Sequence, residues 1–309
     1  MSEVRAETQS ATLHGKSMKR TPKAVDAWSP RSATRKHIRQ FWWVYLLLTL
    51  IGVLLMVPLA WLLSSSLKAE GQIFIVPPEW IPNPVRWENY PDVFRRIPFG
   101  RGWWNSTVVT VGATVGQLVS ASLVAFGFAR LRFPGRDALF IVLIATVMIP
   151  YHVTLIPTYV LFRELNWLDT FLPLIVPSWF GGSAFYIFLM RQFYMRLSFE
   201  LDDAARVDGA GNWRIFTDVV LPQSKPALGV VAIFSFLSHW TDFFGPFIYL
   251  NSTEKYTLPL MLRLFQSVES TEWAMLMAAS VMTAIPCVVL YFVAQRYFIQ
   301  GVVFTGLKG

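Results

Sequence analysis

The run from Gln40 to Leu67 contains no Asp, Glu, Lys or Arg and is dominated by Leu, with Val and Trp. A helix rises about 1.5 Å per residue, so about 20 apolar residues cross a hydrocarbon core of about 30 Å. Lipid supplies no hydrogen-bond partners, and a run of this kind must pair its backbone groups internally as a helix. Six segments reach that length: Phe41–Leu63, Ser106–Ala129, Ala138–Phe162, Thr170–Met190, Pro226–Leu250 and Trp273–Ala294. The fifth is interrupted by Asp242. Pro58, Pro150, Pro157, Pro173, Pro177, Pro246 and Pro286 lie in or beside these segments. Such prolines are tolerated in membrane helices because neighbouring helices satisfy the freed carbonyls. The expected fold is therefore all-α, with six transmembrane helices.

Composition narrows the class further. Only 15% of the 309 residues are charged, against about 25% in an ordinary soluble domain. That excludes a soluble enzyme, a disordered chain and a secreted disulfide scaffold; the lone Cys287 has no internal partner. The net charge of +8 reads as basic cytoplasmic loops and not as a nucleic-acid surface. Nineteen of the 27 Lys and Arg residues fall in residues 1–40, the connections after the second and fourth spans, and the C-terminal tail. This asymmetry places both termini in the cytoplasm of a multi-pass cell-membrane protein. Residues 1–40 are rich in Ser, Thr, Lys and Arg without apolar periodicity, which predicts a basic, disordered cytoplasmic tail preceding a six-helix transmembrane domain over 41–309. Because the apolar core begins only at Phe41 and runs long, the first span reads as a retained helix and not as a cleaved signal peptide.

Several chemistries have no residues to support them. There is no G-x-x-x-x-G-K-[ST] loop, no H-E-x-x-H and no paired C-x-x-C, so neither nucleotide hydrolysis nor a metal site is expected on this chain. His14, His37, His152 and His239 are dispersed. Ser238, His239 and Asp242 are close in sequence, but no elbow motif surrounds the serine. No catalytic residue is assigned. Gly112 and Gly116 form a G-x-x-x-G, a spacing that permits close helix contact.

The connection over residues 198–226 carries the functional signal. Ser198 is a candidate N-cap, and Glu200, Asp202 and Asp203 crowd a helix start where the macrodipole favours negative charge. Gly209 stands where a helix must reverse through a left-handed residue. A second limb is expected from Asn212 to about Val220, ended by Leu221-Pro222 and Pro226. Ala204-Ala205 leaves room for a partner surface. The segment reads as a rigid helix–turn–helix finger.

The run Asp203-Ala204-Ala205, then Asp208-Gly209-Ala210, Phe216, Val219, Leu221-Pro222 and Pro226 resembles the "EAA" loop of ABC importer permeases. Asp203 replaces the usual glutamate and Val219 the usual isoleucine. The resemblance covers about residues 41–309. It includes Ala129–Arg136, Met148-Ile149-Pro150 with Leu155-Ile156-Pro157, Phe185 through Gln192, and Gln295-Arg296-Tyr297-Phe298. These look most like the second membrane subunit of maltose-type importers, with Trp240-Thr241-Asp242 where that branch commonly has Trp-Asn-Asp.

The resemblance implies a type I ABC importer permease fold and a part in ATP-driven carbohydrate uptake. The substrate would be a di- or oligosaccharide or glycerol phosphate. ATP and Mg would sit on partner ATP-binding subunits, with none on this chain. A second permease subunit, an external solute-binding protein and the lipid bilayer complete the implied partners. Glu200, Asp203, Ala204, Ala205, Asp208, Gly209, Phe216, Leu221 and Pro222 are the expected ATPase-coupling residues. Tyr151, His152, Trp179, His239, Trp240 and Asp242 are candidates for the substrate pathway, because flat rings beside hydrogen-bonding groups suit sugars. Two alternatives from other classes are a polytopic membrane enzyme acting on a lipid-linked substrate and a secondary transporter. The first would need clustered carboxylates or histidines at a span end, and the second an internal repeat.

Overall fold

A computed structural model describes residues 41–266 and 271–303, with residues 296–303 described by backbone alone. The expected tail over 1–40 lies outside the described residues. The chain forms two units that meet at Val57 and Pro58. The described part of the first is the beginning of helix α1 (Trp42–Ser65), whose Trp42, Leu46, Leu50, Leu54 and Leu55 are all exposed. An apolar helix with no polar face belongs in lipid or against another apolar surface.

The second unit is organised on α3 (Phe99–Arg130), a helix of 32 residues and about 48 Å. It follows the short α2 (Asn89–Arg96). Small residues line its buried face, among them Ala113, Thr114, Gly116, Ser120, Ala121 and Ala125. That allows α6 (Leu172–Trp179), α7 (Ala184–Arg196) and α10 (Lys225–Trp240) to pack on it. The G-x-x-x-G contact is made within the chain: Ile175 lies on Gly112 and Trp179 on Gly116, and the Trp179 indole N–H donates to Gly112 O at 3.1 Å. A Cβ on Gly116 would overlap the Trp179 ring. Gly116→Val is therefore expected to lower stability by about 1–3 kcal/mol through overpacking. An unchanged thermal midpoint of the detergent-purified variant would refute this.

One apolar cluster near the start of α3 joins Val93, Phe99, Leu258, Met261 and Phe265, with Ala278 of the last helix. Another near its end joins Phe126, Met190, Tyr194, Ile215, Phe216 and Val220. The two ends of the unit thus have separate cores, connected by α3.

Four helical stretches are long and apolar enough to cross a membrane: Trp42–Ser65, Phe99–Arg130, Leu172–Arg196 and Trp273–Gln295. Two bent pairs raise this to six if each counts as one span. The third expected span is one of them. It divides into α4 (Arg136–Ala145), continued by a tight turn to Met148, and α5 (Tyr151–Glu164), bent by 98°. Pro150 forces Ile149 into extended backbone, which ends the first half.

The fourth span is interrupted between α6 and α7, where Gly181 and Gly182 take φ of 101° and 48°. The fifth ends at Trp240, ten residues before the expected Leu250; after Thr241–Phe243 the chain resumes as α11 (Phe244–Tyr249). Asp242 Oδ1 accepts the Gly245 N–H at 3.1 Å. An Asp side chain that captures local backbone in this way competes with helix continuation, so Asp242 stands at a break and not inside a helix. The remaining elements are α8 (Glu200–Val207), α9 (Asn212–Gln223), α12 (Leu258–Met261) and α13 (Trp273–Val303).

The end of the unit opposite the α3 C-terminus carries a polar clasp. Asp169, in the left-handed region at φ 54°, accepts the backbone N–H groups of Asn251 (3.0 Å) and Ser252 (2.9 Å), the Ser252 hydroxyl (2.5 Å) and the Lys255 ammonium (3.0 Å). Burial pushes its carboxyl pKa up, but the Ser252, Asn251 and Lys255 donors outweigh that and hold it well below the ordinary carboxylate range. A depressed folded-state pKa gives stability that is present above the unfolded value, about 3.9, and is lost as pH falls towards the folded one. Asp169→Asn should therefore remove the acid-dependent part of stability. Identical thermal melting of wild type and variant from pH 7 down to pH 3 would contradict it.

Candidate functional site

The 198–226 segment folds as two limbs at the α3 C-terminal end. Ser198 Oγ accepts the Glu200 N–H at 3.2 Å, but α8 begins one residue later than expected, with Phe199 and not Ser198 as its N-cap and no side-chain cap bond. α8 ends in a Schellman turn: the Ala210 N–H reaches Ala205 O at 2.9 Å, and the Gly209 N–H reaches Arg206 O at 3.0 Å. Gly209 has φ 81°, the left-handed conformation its position predicts. α9 runs from Asn212 to Gln223, three residues beyond the expected end, through a π-helical stretch over Ile215–Val220. It then meets α10 at 78°.

The two limbs have unlike surfaces. Phe216 is buried, with its ring 5.2 Å from Phe126, and Ile215 and Val220 are buried beside it. Leu221 is packed against the same cluster, while Pro222 is exposed. This core fixes the second limb to α3. Along the first limb and the turn, Glu200, Asp203, Ala204, Asp208 and Gly209 are exposed, Ala205 is half-buried, and Val207 and Trp213 project into the open at 88% and 68% exposure. Asp203 pairs at the surface with Arg206 (3.2 Å).

Asp202 faces the other way. Its carboxylate lies 3.4 Å from Arg130 Nη1, with side-chain exposures of 2% and 0%. Arg130 Nη2 donates to Tyr194 O (2.8 Å) and Leu197 O (2.9 Å), and the guanidinium lies over the Phe199 ring at 4.2 Å. Burial raises the Asp202 carboxyl pKa above its ordinary value, with Arg130 opposing the shift. The sequence marks Asp202 as a helix-start charge and Arg130 as a topology determinant within the Ala129–Arg136 run, and does not pair them. The available signal was helical spacing: Asp203 lies about 100° from Asp202 on one side, and half-buried Ala205 lies about 60° from it on the other.

The pathway candidates separate into two groups. Tyr151 opens α5, with its hydroxyl 3.4 Å from the Tyr249 hydroxyl and its ring 6.1 Å from Phe244. His152 lies 5.9 Å from the same Phe244 ring, which directly follows the Asp242 break. His239, half-buried, is one turn before that break. Tyr151 and His152 thus meet Phe244, just past the Asp242 break and His239, where the third span bends and the fifth ends. Trp240 is buried, stacked on Phe236 (5.5 Å), edge-on to Trp103 (5.6 Å), and donates to Thr283 O at 3.0 Å. Trp179 is committed to Gly112 and Gly116. Both tryptophans take part in helix packing, and Trp179 keeps 45% of its surface exposed.

Phe244, Tyr249 and Gln117 were not singled out from sequence. Gln117 is buried in α3; its Oε1 accepts the Ser183 N–H at 2.9 Å and occupies the space a Cβ on Gly182 would need. Ser120 Oγ donates to Ser178 O at 2.7 Å. The opened backbone of the fourth span is therefore satisfied by polar groups of the second, as unwound segments at membrane depth require. A Gly-Gly pair inside an apolar run, with a Gln and a Ser in another, was the legible sign. Among the described residues no group of three His, Cys, Asp or Glu side chains could hold a metal ion.

The family described as "Binding-protein-dependent transport system inner membrane component" matches residues 117–303. The sn-glycerol-3-phosphate transport system permease protein UgpE of Yersinia enterocolitica is 34% identical over 82% of this chain and 93% of its own. The diacetylchitobiose uptake system permease protein NgcG of Streptomyces coelicolor is 32% identical over 81% of this chain and 83% of its own. The structure is similar to that of a bacterial ABC transporter involved in the import of the acidic polysaccharide alginate. The TM-score is 0.75 at 24% identity, covering 85% of this chain and 98% of the other.

Proposed function

The chain belongs to the family of binding-protein-dependent transport system inner membrane components, and from that premise we propose that it is the membrane-spanning permease subunit of an ATP-driven sugar importer. Its cargo class is a di- or oligosaccharide or glycerol phosphate, by analogy with the relatives named for diacetylchitobiose and glycerol phosphate. The chain is a transport subunit and not an enzyme. ATP and Mg are held by separate ATP-binding subunits; a second permease subunit completes the pore, and an external solute-binding protein delivers the cargo. Both termini and the 198–226 finger face the cytoplasm.

The observation that carries this reading is the two-sided finger. Its second limb is locked into the core through Ile215, Phe216 and Val220, while the Schellman turn at Gly209 presents Val207 and Trp213 to a partner. A stiff element fixed at one end and apolar at its free end can dock in a groove and transmit force. When the ATP-binding subunits close, the finger moves, and the spans joined to it, α7 and α10, tilt. Because the third span bends at Tyr151 and His152 and the fifth breaks at Asp242, tilting opens that region to one side and then the other. Cargo hydroxyls would meet Tyr151, His152 and Asp242 there, and apolar sugar faces would meet Phe244. Nothing in the described residues favours the enzyme reading.

Affinity purification of the tagged full-length chain from its native membrane tests the proposal. An ATPase should co-purify, and should be lost when residues 200–222 are replaced by a flexible linker of equal length. Membrane-inserted protein that retains the ATPase after that replacement would overturn the finger's role, and the absence of any ATPase from the unaltered chain would overturn the function.

A further inference from the structure

The finger is joined to its neighbours in sequence, α7 and α10, by the chain itself. Its second limb is fixed to α3 by the apolar core at Phe216 and Phe126, and its first limb, α8, meets α3 through charge. Arg130 is the last residue of α3, and Asp202 is in the first turn of α8; both side chains are buried. Burying a charge pair is costly relative to an apolar pair, so its retention is not explained by stability.

The pair is also incompletely made. Neither Asp202 carboxylate oxygen accepts a hydrogen bond, and Arg130 Nε and Nη1 donate none. The nearest approach is 3.4 Å, while the other arm of the guanidinium holds the carbonyls that end α7. Buried polar groups are nearly always satisfied, and exceptions call for a physical reason. A shift of α8 towards Arg130 would bring carboxylate and fork into full contact without disturbing Tyr194 O or Leu197 O.

We infer that Arg130 and Asp202 form the joint through which the finger drives the second span, so that α3 moves with α8 and not only with its own chain neighbours. Arg130 and Asp202 are positioning residues in this role. The inference rests on the lever function proposed above. α3 carries the packing of α6, α7 and α10 and the Gln117 support of the broken fourth span. With the second limb held to α3 by its apolar core and the first limb held by the charge pair, the second, fourth and fifth spans move together, where a first limb attached only by its connecting chain would move against α3. A charge pair suits such a joint because it pulls over the distance the finger travels, whereas apolar contact is lost within about an ångström.

The test uses the assembled transporter in lipid nanodiscs, with Cys287→Ser removing the native thiol. Spin labels at exposed Leu201 and Leu123 report finger to second span, and labels at Leu201 and exposed Val288 report finger to last helix. Distances are read without nucleotide and after trapping with ATP and vanadate. In the otherwise native transporter, trapping should shift the 201–288 distance and leave the 201–123 distance constant. Asp202→Asn, which keeps shape and removes charge, should let the 201–123 distance shift on trapping, and Asp202→Glu should restore constancy. Where Asp202→Asn does not assemble, the Arg130→Met/Asp202→Leu double variant carries the same expectation, because it leaves no uncompensated ion.

A constant 201–123 distance in the charge-removed variants would overturn the joint while leaving the lever intact. A 201–288 distance unmoved by trapping in the native transporter would overturn the lever itself, and the joint with it.

Discussion

Replacing Asp202 by leucine should destabilise the protein by about 3–5 kcal/mol, the cost of leaving one member of a buried ion pair without its partner. The reason lies in which charge remains. Arg130, with a fully buried side chain, cannot discharge by losing its proton. The converse change behaves differently: in Arg130→Met the remaining Asp202 carboxyl, its pKa already raised by burial, can take up a proton and become neutral. That variant instead loses the donors to Tyr194 O and Leu197 O. The double variant Arg130→Met/Asp202→Leu loses the same donors but strands no charge, so its cost should fall below the sum of the singles by about 1–3 kcal/mol. Chemical unfolding in detergent measures all three. Strict additivity would mean that the two side chains do not interact.

Gly209→Val should abolish transport and cargo-stimulated ATP hydrolysis while leaving membrane insertion intact. A non-glycine residue in the left-handed region costs about 1–2 kcal/mol, and a β-branched one more. An added Cβ at Gly209 would meet nothing within 4 Å, so packing contributes nothing and the effect is confined to the turn. Gly209→Asn, which tolerates positive φ, should keep much of the activity. The assay is hydrolysis by the reconstituted complex with its binding protein, with ATPase co-purification as the control for assembly. Normal stimulation in the valine variant would show that the α8–α9 turn need not be rigid.

The helical class was legible because lipid leaves a backbone no alternative to internal pairing, while the six expected spans appear as four long helical stretches and two bent pairs. The bends were only partly legible. Pro150 announced one break, since proline acts on its immediate neighbour. The end of the fifth span at Trp240 depended on Asp242 capturing the Gly245 N–H, and a lone Asp in an apolar run could equally have faced a cavity from within a helix. The pathway candidates divided for a related reason. Trp179 and Trp240 have the right chemistry for sugar contact, but their indole N–H groups are taken by Gly112 O and Thr283 O, partners 67 and 43 residues away.

Sequence by itself determined the apolar runs, the left-handed reversal at Gly209, the acidic start of the finger and the family. All of these rest on local chemistry or on spacing within a few residues. Only the tertiary structure decided which acidic residue turns inward. Asp202 and Asp203 are neighbours of the same charge, yet one is buried against Arg130 and the other is paired at the surface with Arg206. The difference is about 100° of helix rotation, set by the packing of α8 against the ends of α3 and α7.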